Sequence, residues 1–214
     1  MKTQRLLFIG MIAVVGMIIY YVFNTAQTDD AYVQDLIEFR KDKDRRFLEE
    51  DESPLDKAQK GVFDSLRYFD PNPAYRIVAD LEWMNNAPAF SLPTTADGQT
   101  QEYRRIAEAS FQLGGKPQEV VLLESVERPD EPNMYLFFRD ETSGEDTYGA
   151  GRYVEVEKRR KKTCIIDFNR AYNPYCAYNE YYVCPIPPKE NYISVRVEAG
   201  EKLPGIKGAD DREE

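Results

Sequence analysis

A stretch rich in tyrosine and proline, residues 162–202, constrains the fold of this chain more than any other feature of the sequence. It contains all three cysteines, and its prolines have no amide hydrogen to donate to a β-sheet. A continuous strand cannot run through such a stretch, and an exposed loop does not need so many aromatic residues. The pattern therefore predicts two strands, residues 163–170 and 192–198, joined by a long, rigid connection.

Alternating apolar and polar residues predict further strands earlier in the chain. In residues 75–83 the odd-numbered positions, from Tyr75 to Trp83, are apolar and form one face of a strand. The connections are short and contain no helix, which predicts a mainly β (α+β) fold, an antiparallel β barrel or sandwich of about eight strands. Besides the two strands above, the predicted strands are residues 75–83, 89–92, 102–113, 119–127, 134–139 and 152–157.

The part of the chain before these strands is predicted to be helical. Residues 30–50 carry a broken apolar stripe at helical spacing, and a second, short helix is predicted at residues 53–66. Two prolines close together, Pro71 and Pro73, end it. We expect this helical segment, residues 30–70, to pack on a β domain of residues 71–202, and residues 203–214 to form a frayed acidic tail.

An uncharged apolar run of eighteen residues, 6–23, precedes the helical segment. As a helix it would rise about 27 Å, close to the hydrocarbon thickness of a bilayer. Lys2 and Arg5 lie before the run and acidic residues follow it. The chain is therefore predicted to cross a bacterial inner membrane once through residues 6–23, with residues 1–5 in the cytoplasm and the main domain in the periplasm. A cleaved signal peptide is the alternative, which fits less well because the run exceeds the usual length of about 7–15 residues.

The charge and the lack of histidine exclude several classes of function. A net charge of −10 disfavours a nucleic-acid partner. Without histidine the chain has no Ser-His-Asp or Cys-His catalytic group and no zinc site that needs imidazole. The spacing of Cys164, Cys176 and Cys184 matches no zinc pattern either. We predict no metal site and no cofactor.

Two of the cysteines are candidates for a disulfide in an oxidising exterior compartment. Cys176 and Cys184 would close a loop of nine residues, and such a bridge contributes about 2–3 kcal/mol on the chain-entropy account. Cys164 lies in the middle of a predicted strand and is interpreted as a buried free thiol.

A polar group near the end of the predicted strand 163–170 is the best candidate for a site. Asp167 and Asn169 share one face of this strand, and antiparallel pairing is expected to bring Arg152 close to them. One interpretation is a structural hydrogen-bond network, and the other is a pocket in which Arg152 or Arg170 binds a small anionic ligand. The candidate ligand-binding residues are Arg152, Asp167, Asn169, Arg170, Asn173, Glu190 and Asn191.

Two further features leave alternatives open. The tyrosines of residues 172–182 form either a small additional core or a surface on which a flat ring or a sugar stacks. The basic run KRRKK at residues 158–162 is predicted to form a hairpin tip, either a solvated turn or a contact for anionic lipid or a partner.

Four sequence blocks carry a resemblance to a known family. They read FRKDKDRRFLEEDESPL, LRYFDPNPAYRI, FFRDETSGEDTYGAGRYVEVE and IIDFNRAYNPYCAYNEYYVCPIPPKENYISVRVEAGEK. Over residues 39–202 the chain resembles the bacterial domain-of-unknown-function family numbered 1684, and this resemblance implies no reaction. We expect a membrane-anchored exterior module that binds a small ligand or a protein partner. The alternative is a hydrolase-like enzyme that uses Asp167 and Glu190 with Arg152 or Arg170.

Overall fold

The computed structural model describes residues 2–127 and 134–205, apart from the side chains of residues 2–10, 12–13 and 18–28. The α-helices are α1 (Lys2–Glu49) and α2 (Lys57–Lys60). Short 3-10 helices lie at Pro73–Tyr75, Phe168–Arg170, Tyr175–Ala177 and Lys189–Asn191. The strands are β1 (Arg76–Trp83), β2 (Ala89–Pro93), β3 (Thr100–Leu113), β4 (Lys116–Ser125), β5 (Tyr135–Asp140), β6 (Arg152–Arg160), β7 (Thr163–Asp167) and β8 (Tyr192–Ile193).

Six of these strands close into an antiparallel barrel. Neighbours pair in the order β1-β7-β6-β5-β4-β3, and β3 pairs in turn with β1. β2 lies outside this ring on β3, and β8 pairs with β5 in parallel. The prediction of a mainly β fold of about eight strands is confirmed, and the architecture is the barrel, because the pairing of β1 with β3 closes the sheet on itself.

Apolar side chains fill the barrel and also cover part of its outer face. Consecutive residues of one strand belong to different clusters: Leu122 and Leu136 lie inside, whereas Leu123 and Phe137 lie outside. Both faces of β4 and β5 are therefore buried, since successive side chains of a strand point to opposite faces. The outer cluster consists of Leu92, Tyr103, Val121, Leu123, Tyr135, Phe137 and Tyr153.

The strand predicted at residues 163–170 is shorter in the structure. β7 stops at Asp167, and Phe168–Arg170 forms a 3-10 helix. The Asp167 carboxylate accepts a hydrogen bond from the backbone N of Asn169 at 3.1 Å and caps this helix, which ends the strand. Asp167 and Asn169 consequently do not share one strand.

The strand predicted at residues 192–198 is reduced to the two residues of β8. The residues after it find hydrogen-bond partners in buried side chains instead of a neighbouring strand. The backbone N of Ser194 donates to Gln118 at 3.2 Å, and that of Val197 donates to Asp140 at 2.7 Å. This segment therefore follows the barrel without joining the sheet.

The helical segment also differs from the prediction. The helix predicted at residues 30–50 is the C-terminal part of α1, which begins at Lys2. The second helix, predicted at residues 53–66, is limited to the four residues of α2. Gly61 follows α2 directly, and the described chain reaches the barrel without a further α-helix.

The apolar run of residues 6–23 lies within α1, and most of its side chains lie outside the described residues. In the part of the chain that the structure describes, no helix is both long enough and apolar enough to span a bilayer. The predicted frayed tail lies outside the described residues from position 206 onwards.

The tyrosine-rich connection packs against α1. Phe47 of α1 meets Tyr178 edge to face, with ring centroids 5.1 Å apart. Leu55, Leu66 and Ala177 complete this third apolar cluster. It holds the C-terminal end of α1 on the barrel, because aromatic pairs in this geometry add to the stabilisation from burial.

Candidate functional site

A cleft of about 660 Å³ lies over the outer apolar cluster of the barrel. We call it the tyrosine cleft. Its floor is formed by strand residues Tyr103, Tyr135, Phe137 and Tyr153. Its walls come from α1 and from the chain after β7, with Phe39, Lys43, Arg46, Arg170, Tyr172, Pro174, Tyr175, Val183, Cys184 and Pro185. Gln101, Ser125, Glu127 and Glu155 complete the lining.

The aromatic rings of the floor hold one another in place. Phe137 is central, with ring centroids 4.1 Å from Tyr153 and 5.2 Å from Tyr103, the latter edge to face. Tyr153 meets Tyr172 of the wall edge to face at 5.9 Å. The Tyr153 hydroxyl donates to the backbone oxygen of Pro185, and burial keeps the pKa of Tyr153 well above its usual range. The floor is therefore a fixed aromatic surface in which Tyr153 keeps its proton.

Three cations line the cleft, and two of them already have partners. Lys43 Nζ lies 2.6 Å from the buried carboxylate of Glu201. Arg170 lies 2.6 Å from the carboxylate of Asp35. Arg46 is exposed and makes no ion pair with any residue that the structure describes. Arg46 is therefore the cation of the cleft that is available to a ligand.

Asp167, a predicted site residue at the end of β7, connects the barrel to α1 through hydrogen bonds. The hydroxyl of Tyr32 donates to both of its carboxylate oxygens, at 2.8 and 2.9 Å. Arg170 and Arg76 lie 3.6 and 3.8 Å from the same carboxylate. Burial and the charge of Asp167 raise the pKa of Tyr32 far above its usual range, so the hydroxyl keeps its proton and remains a donor.

Asn169 lies beside Asp167 and binds the loop before the barrel. Its side-chain nitrogen donates to the backbone oxygen of Asn72 at 2.8 Å, and its side-chain oxygen accepts from the backbone N of Asn72 at 3.0 Å. Asp167, Asn169 and Arg170 thus lie together where β7 ends, but of the three only Arg170 lines the tyrosine cleft.

Arg152 lies inside one end of the barrel and shares no partner with Asp167. It is 1% exposed, and its guanidinium lies 3.5 Å from the carboxylate of Asp140. It donates to three backbone carbonyls of the C-terminal segment, at Val197 (2.9 Å), Ala199 (2.5 Å) and Glu201 (3.1 Å). Burial lowers the pKa of Arg152, and the charge of Asp140 opposes that shift. The expected convergence of Arg152 with Asp167 and Asn169 is not found, because Asp167 turns outward to α1.

The side chain of Asn191 supplies hydrogen bonds to both β4 and β5 in a region where the two strands hardly pair with each other. Within the described residues, β4 and β5 share a single registered pair, Leu123 with Tyr135. The buried amide of Asn191 donates to the backbone oxygens of Val121 and Phe137, both at 2.9 Å, and accepts from the backbone N of Val121 at 2.7 Å. Asn191 therefore joins the two strands where their own hydrogen bonding is short.

Asn173 and Glu190 have separate partners. The backbone N of Asn173 donates to the carboxylate of Glu201 at 2.8 Å. Glu190 is exposed and pairs with Arg105 at 2.6 Å. Asp167 and Glu190 thus bind different groups, and the geometry offers no shared position at which these two carboxylates would act as acid and base.

The two cysteines of the predicted disulfide lie together, and Cys184 lines the cleft. The backbone N of Cys176 donates to Cys184 Sγ at 3.4 Å, and both residues are free thiols. The hydrogen bond with Cys184 lowers the pKa of Cys176 to about 7. Burial raises the pKa of Cys164 to about 11. The disulfide stays a prediction that this proximity permits. In the described ranges, no group of three or more cysteine or carboxylate side chains is arranged to hold a metal ion.

The floor of the cleft was not predicted from the sequence. Tyr135, Phe137 and Tyr153 lie on strands whose aromatic residues are expected in a core. A signal was nevertheless present, since residues 134–138 are apolar without a break and both faces of β5 must be covered. The cover of the outer face comes from α1 and the tyrosine-rich connection.

Comparisons with known proteins give a family and a solved structure. A family model described as "Protein of unknown function (DUF1684)" matches residues 61–202. An uncharacterized protein from Haloarcula marismortui, solved by solution NMR, is 33% identical to this chain with a TM-score of 0.63. The alignment covers 82% of this chain and 96% of the other. No curated protein matches the chain.

Proposed function

The chain belongs to the DUF1684 family of proteins of unknown function, and we propose that it binds a small planar ligand with an anionic group in the tyrosine cleft. The observation that carries this proposal is the aromatic floor of a cleft of about 660 Å³. Sites for small molecules typically measure about 300–1,000 Å³ and combine apolar walls with a few polar groups.

The chemistry of the lining selects the class of ligand. Rings of Tyr103, Phe137 and Tyr153 form a fixed surface, and a planar ring that packs on such a surface gains about 0.5–1.5 kcal/mol per aromatic pair beyond area burial. Arg46 supplies a positive charge without a carboxylate partner in the described chain. An anionic group on the ligand would pair with this guanidinium.

Binding is favoured over the hydrolase-like alternative. An enzyme built on Asp167 and Glu190 needs both carboxylates to reach one substrate. The oxygens of Asp167 accept hydrogen bonds from Tyr32, and Glu190 is paired with Arg105. Neither carboxylate lines the tyrosine cleft.

We further propose that residues 6–23 hold this module at a membrane. The support is the length of the uncharged run and the basic residues Lys2 and Arg5 before it. The side chains of this run that the structure describes are exposed, namely Met11, Val14, Val15 and Met17. Exposed apolar side chains in such a row are typical of a surface that another phase or partner covers.

Calorimetric titration with naphthalene-2-carboxylate, a planar aromatic anion, tests the ligand class. We expect saturable binding to the full chain and weaker binding of cyclohexanecarboxylate, which has the charge without the ring. Arg46→Gln should weaken naphthalene-2-carboxylate binding about tenfold or more, since a charged hydrogen bond contributes about 1.5–3 kcal/mol. Tyr175→Ala should also weaken it, because this ring lines the cleft.

Matched controls separate the cleft from the rest of the surface. Lys161→Gln removes an exposed cation and Tyr181→Ala an exposed tyrosine, both outside the cleft, and each should bind as the wild type does. Equal binding by all four variants would refute the assignment to the cleft. Failure of naphthalene-2-carboxylate to bind, together with the absence of any retained small molecule in native mass spectra, would refute the ligand class.

A further inference from the structure

The tip of the hairpin between β6 and β7 is the strongest concentration of positive charge in this acidic chain. Its residues are Lys158, Arg159, Arg160, Lys161 and Lys162, and all five are exposed. None of them forms an ion pair with a residue that the structure describes. We call this group the basic hairpin tip. Such a group creates a local positive electrostatic potential, whereas the net charge of the chain is −10.

The basic hairpin tip also presents the chain's single tryptophan. Trp83 is 37% exposed, and its indole nitrogen donates to the backbone oxygen of Lys161 at 2.9 Å. Lys158 Nζ lies 4.9 Å from the centroid of the indole ring. The ring is thus fixed among the cations with part of its apolar surface open to the outside, an arrangement that suits the boundary between lipid and water.

The order of the contacts along α1 indicates that this tip and the apolar run lie towards the same end of the molecule. Towards its N-terminus α1 contacts the chain in reverse order, from Tyr178 back to the last residue of β7, through the pairs Phe47–Tyr178, Lys43–Tyr172 and Tyr32–Asp167. From Asp167, β7 leads back to the basic hairpin tip over about 13 Å. Nine residues of helix also rise about 13 Å, so a helix that runs alongside β7 would be level with the tip near residue 23.

We propose that the basic hairpin tip and Trp83 form a contact surface for the phosphate groups of anionic membrane lipids. This inference rests on the proposed membrane attachment through residues 6–23 and is independent of the ligand of the tyrosine cleft. A lysine or arginine near an anionic bilayer contributes about 1 kcal/mol, and the anchor would keep the tip within reach of the headgroups. The contact would orient the barrel on the membrane. A nucleic acid is disfavoured, because the net charge of −10 repels a free polyanion, whereas the proposed anchor would hold the tip at the lipid headgroups against that repulsion.

Tryptophan fluorescence of the full chain reconstituted into vesicles tests this proposal at one residue. In vesicles of equal parts phosphatidylglycerol and phosphatidylcholine, we expect the emission of Trp83 to shift to the blue and to be quenched by lipids brominated near the headgroup. In vesicles of phosphatidylcholine alone, both effects should be absent. Added salt should reverse them in the anionic vesicles, since exposed charges are screened over about 10 Å at 0.1 M salt.

Two charge variants and a flotation assay complete the test. Replacement of all five tip cations by glutamine should abolish the blue shift, whereas replacement of Lys41, Arg45, Lys57, Lys116 and Lys189, five exposed cations elsewhere, should leave it unchanged. Circular dichroism verifies that both variants are folded. Identical Trp83 emission in the two kinds of vesicle, or an equal loss of the blue shift in both charge variants, would overturn the proposal.

The remaining outcomes separate this surface from the anchor. If the chain floats with phosphatidylcholine vesicles but Trp83 does not respond to phosphatidylglycerol, the anchor stands and the lipid contact is refuted. If the chain floats only with anionic vesicles and Trp83 responds, the lipid contact stands and the anchor is refuted. A stronger response of Trp83 to a single-stranded oligonucleotide at the same salt concentration would overturn the lipid assignment.

Discussion

Arg152 and Glu201 are each 1% exposed, and each is surrounded by polar groups of the chain after β7. Arg152 donates to three backbone carbonyls of that segment. Glu201 accepts from the Tyr178 hydroxyl at 2.9 Å and pairs with Lys43. Burying these backbone and side-chain groups without partners would be costly. In this segment, the buried charged side chains of Arg152 and Glu201 therefore supply hydrogen-bond partners that neighbouring strands supply elsewhere in the barrel.

The thiol pair gives a prediction at the scale of single residues. Because hydrogen bonding with Cys184 lowers the pKa of Cys176 to about 7, its thiolate forms as pH rises through about 7 and is lost below that pH. We expect the rate of Cys176 alkylation by iodoacetamide to rise with a midpoint near pH 7, and Cys164 to react only at much higher pH. Mass spectrometry of peptides from chains alkylated under native conditions measures both.

Two variants and an oxidation step check this prediction. Cys184→Ala should move the midpoint for Cys176 upward, whereas Cys164→Ala should not change it. Oxidation of the wild type by glutathione disulfide should form the internal disulfide and lower the mass by two hydrogens. Both Cys176 and Cys184 should then be protected from alkylation. A midpoint for Cys176 unaffected by Cys184→Ala, or a mixed disulfide that never resolves to the internal bridge, would contradict the account.

At the scale of elements, α1 is the helix that completes the tyrosine cleft on the barrel. Its C-terminal portion supplies one wall of the tyrosine cleft through Phe39, Lys43 and Arg46. Between these residues and Tyr32, Leu36 of α1 is fully buried. Polar pairs lie on either side of this contact, Tyr32 with Asp167 and Lys43 with Glu201. The position of this wall thus depends in part on polar contacts that can be removed one at a time.

These contacts differ in burial, which predicts a ranking of stability. Glu201→Gln removes a buried partner of Lys43 and should lower the free energy of unfolding by about 2–4 kcal/mol, close to the range for broken buried pairs. Asp167→Asn should cost less, about 1–2 kcal/mol, because Arg76 and Arg170 are more exposed and regain water. Urea unfolding measures both, with exposed Glu198→Gln as a control that should change little. A larger cost for Asp167→Asn than for Glu201→Gln would contradict the ranking.

The strands could be predicted from the sequence better than the cleft, for reasons visible in particular residues. Strand periodicity predicted β1 and the hairpin at residues 158–162, because it reports burial along a single element. It failed at residues 192–198, where Asp140 and Gln118 satisfy the backbone from distant positions. The cleft was missed for a similar reason, since Tyr103 and Phe137 form the floor of a cleft only when α1 folds back beside them. Such contacts between remote segments leave no local pattern.

At the scale of the whole molecule, one helix joins the two proposed activities. α1 contributes a wall of the tyrosine cleft, and its N-terminal part contains the apolar run 6–23 that we propose as the anchor. The basic hairpin tip lies towards the same end. A membrane contact would therefore fix the orientation of the barrel, and the cleft would open at a defined height above the lipid.

This arrangement predicts an orientation that cysteine labelling can measure. Lys2 and Arg5 before the run favour a cytoplasmic N-terminus, since basic flanks remain inside. In a background of Cys176→Ser and Cys184→Ser, we introduce Tyr181→Cys on the barrel side, at a position 87% exposed, or Thr3→Cys before the run. In spheroplasts of a bacterial host, a membrane-impermeant maleimide should label Tyr181→Cys directly and Thr3→Cys only after lysis. The reverse pattern would refute the orientation, and recovery of the chain in the soluble fraction would refute the anchor. Cys164 remains as an internal control, because a buried thiol of raised pKa should stay unlabelled on either side of the membrane.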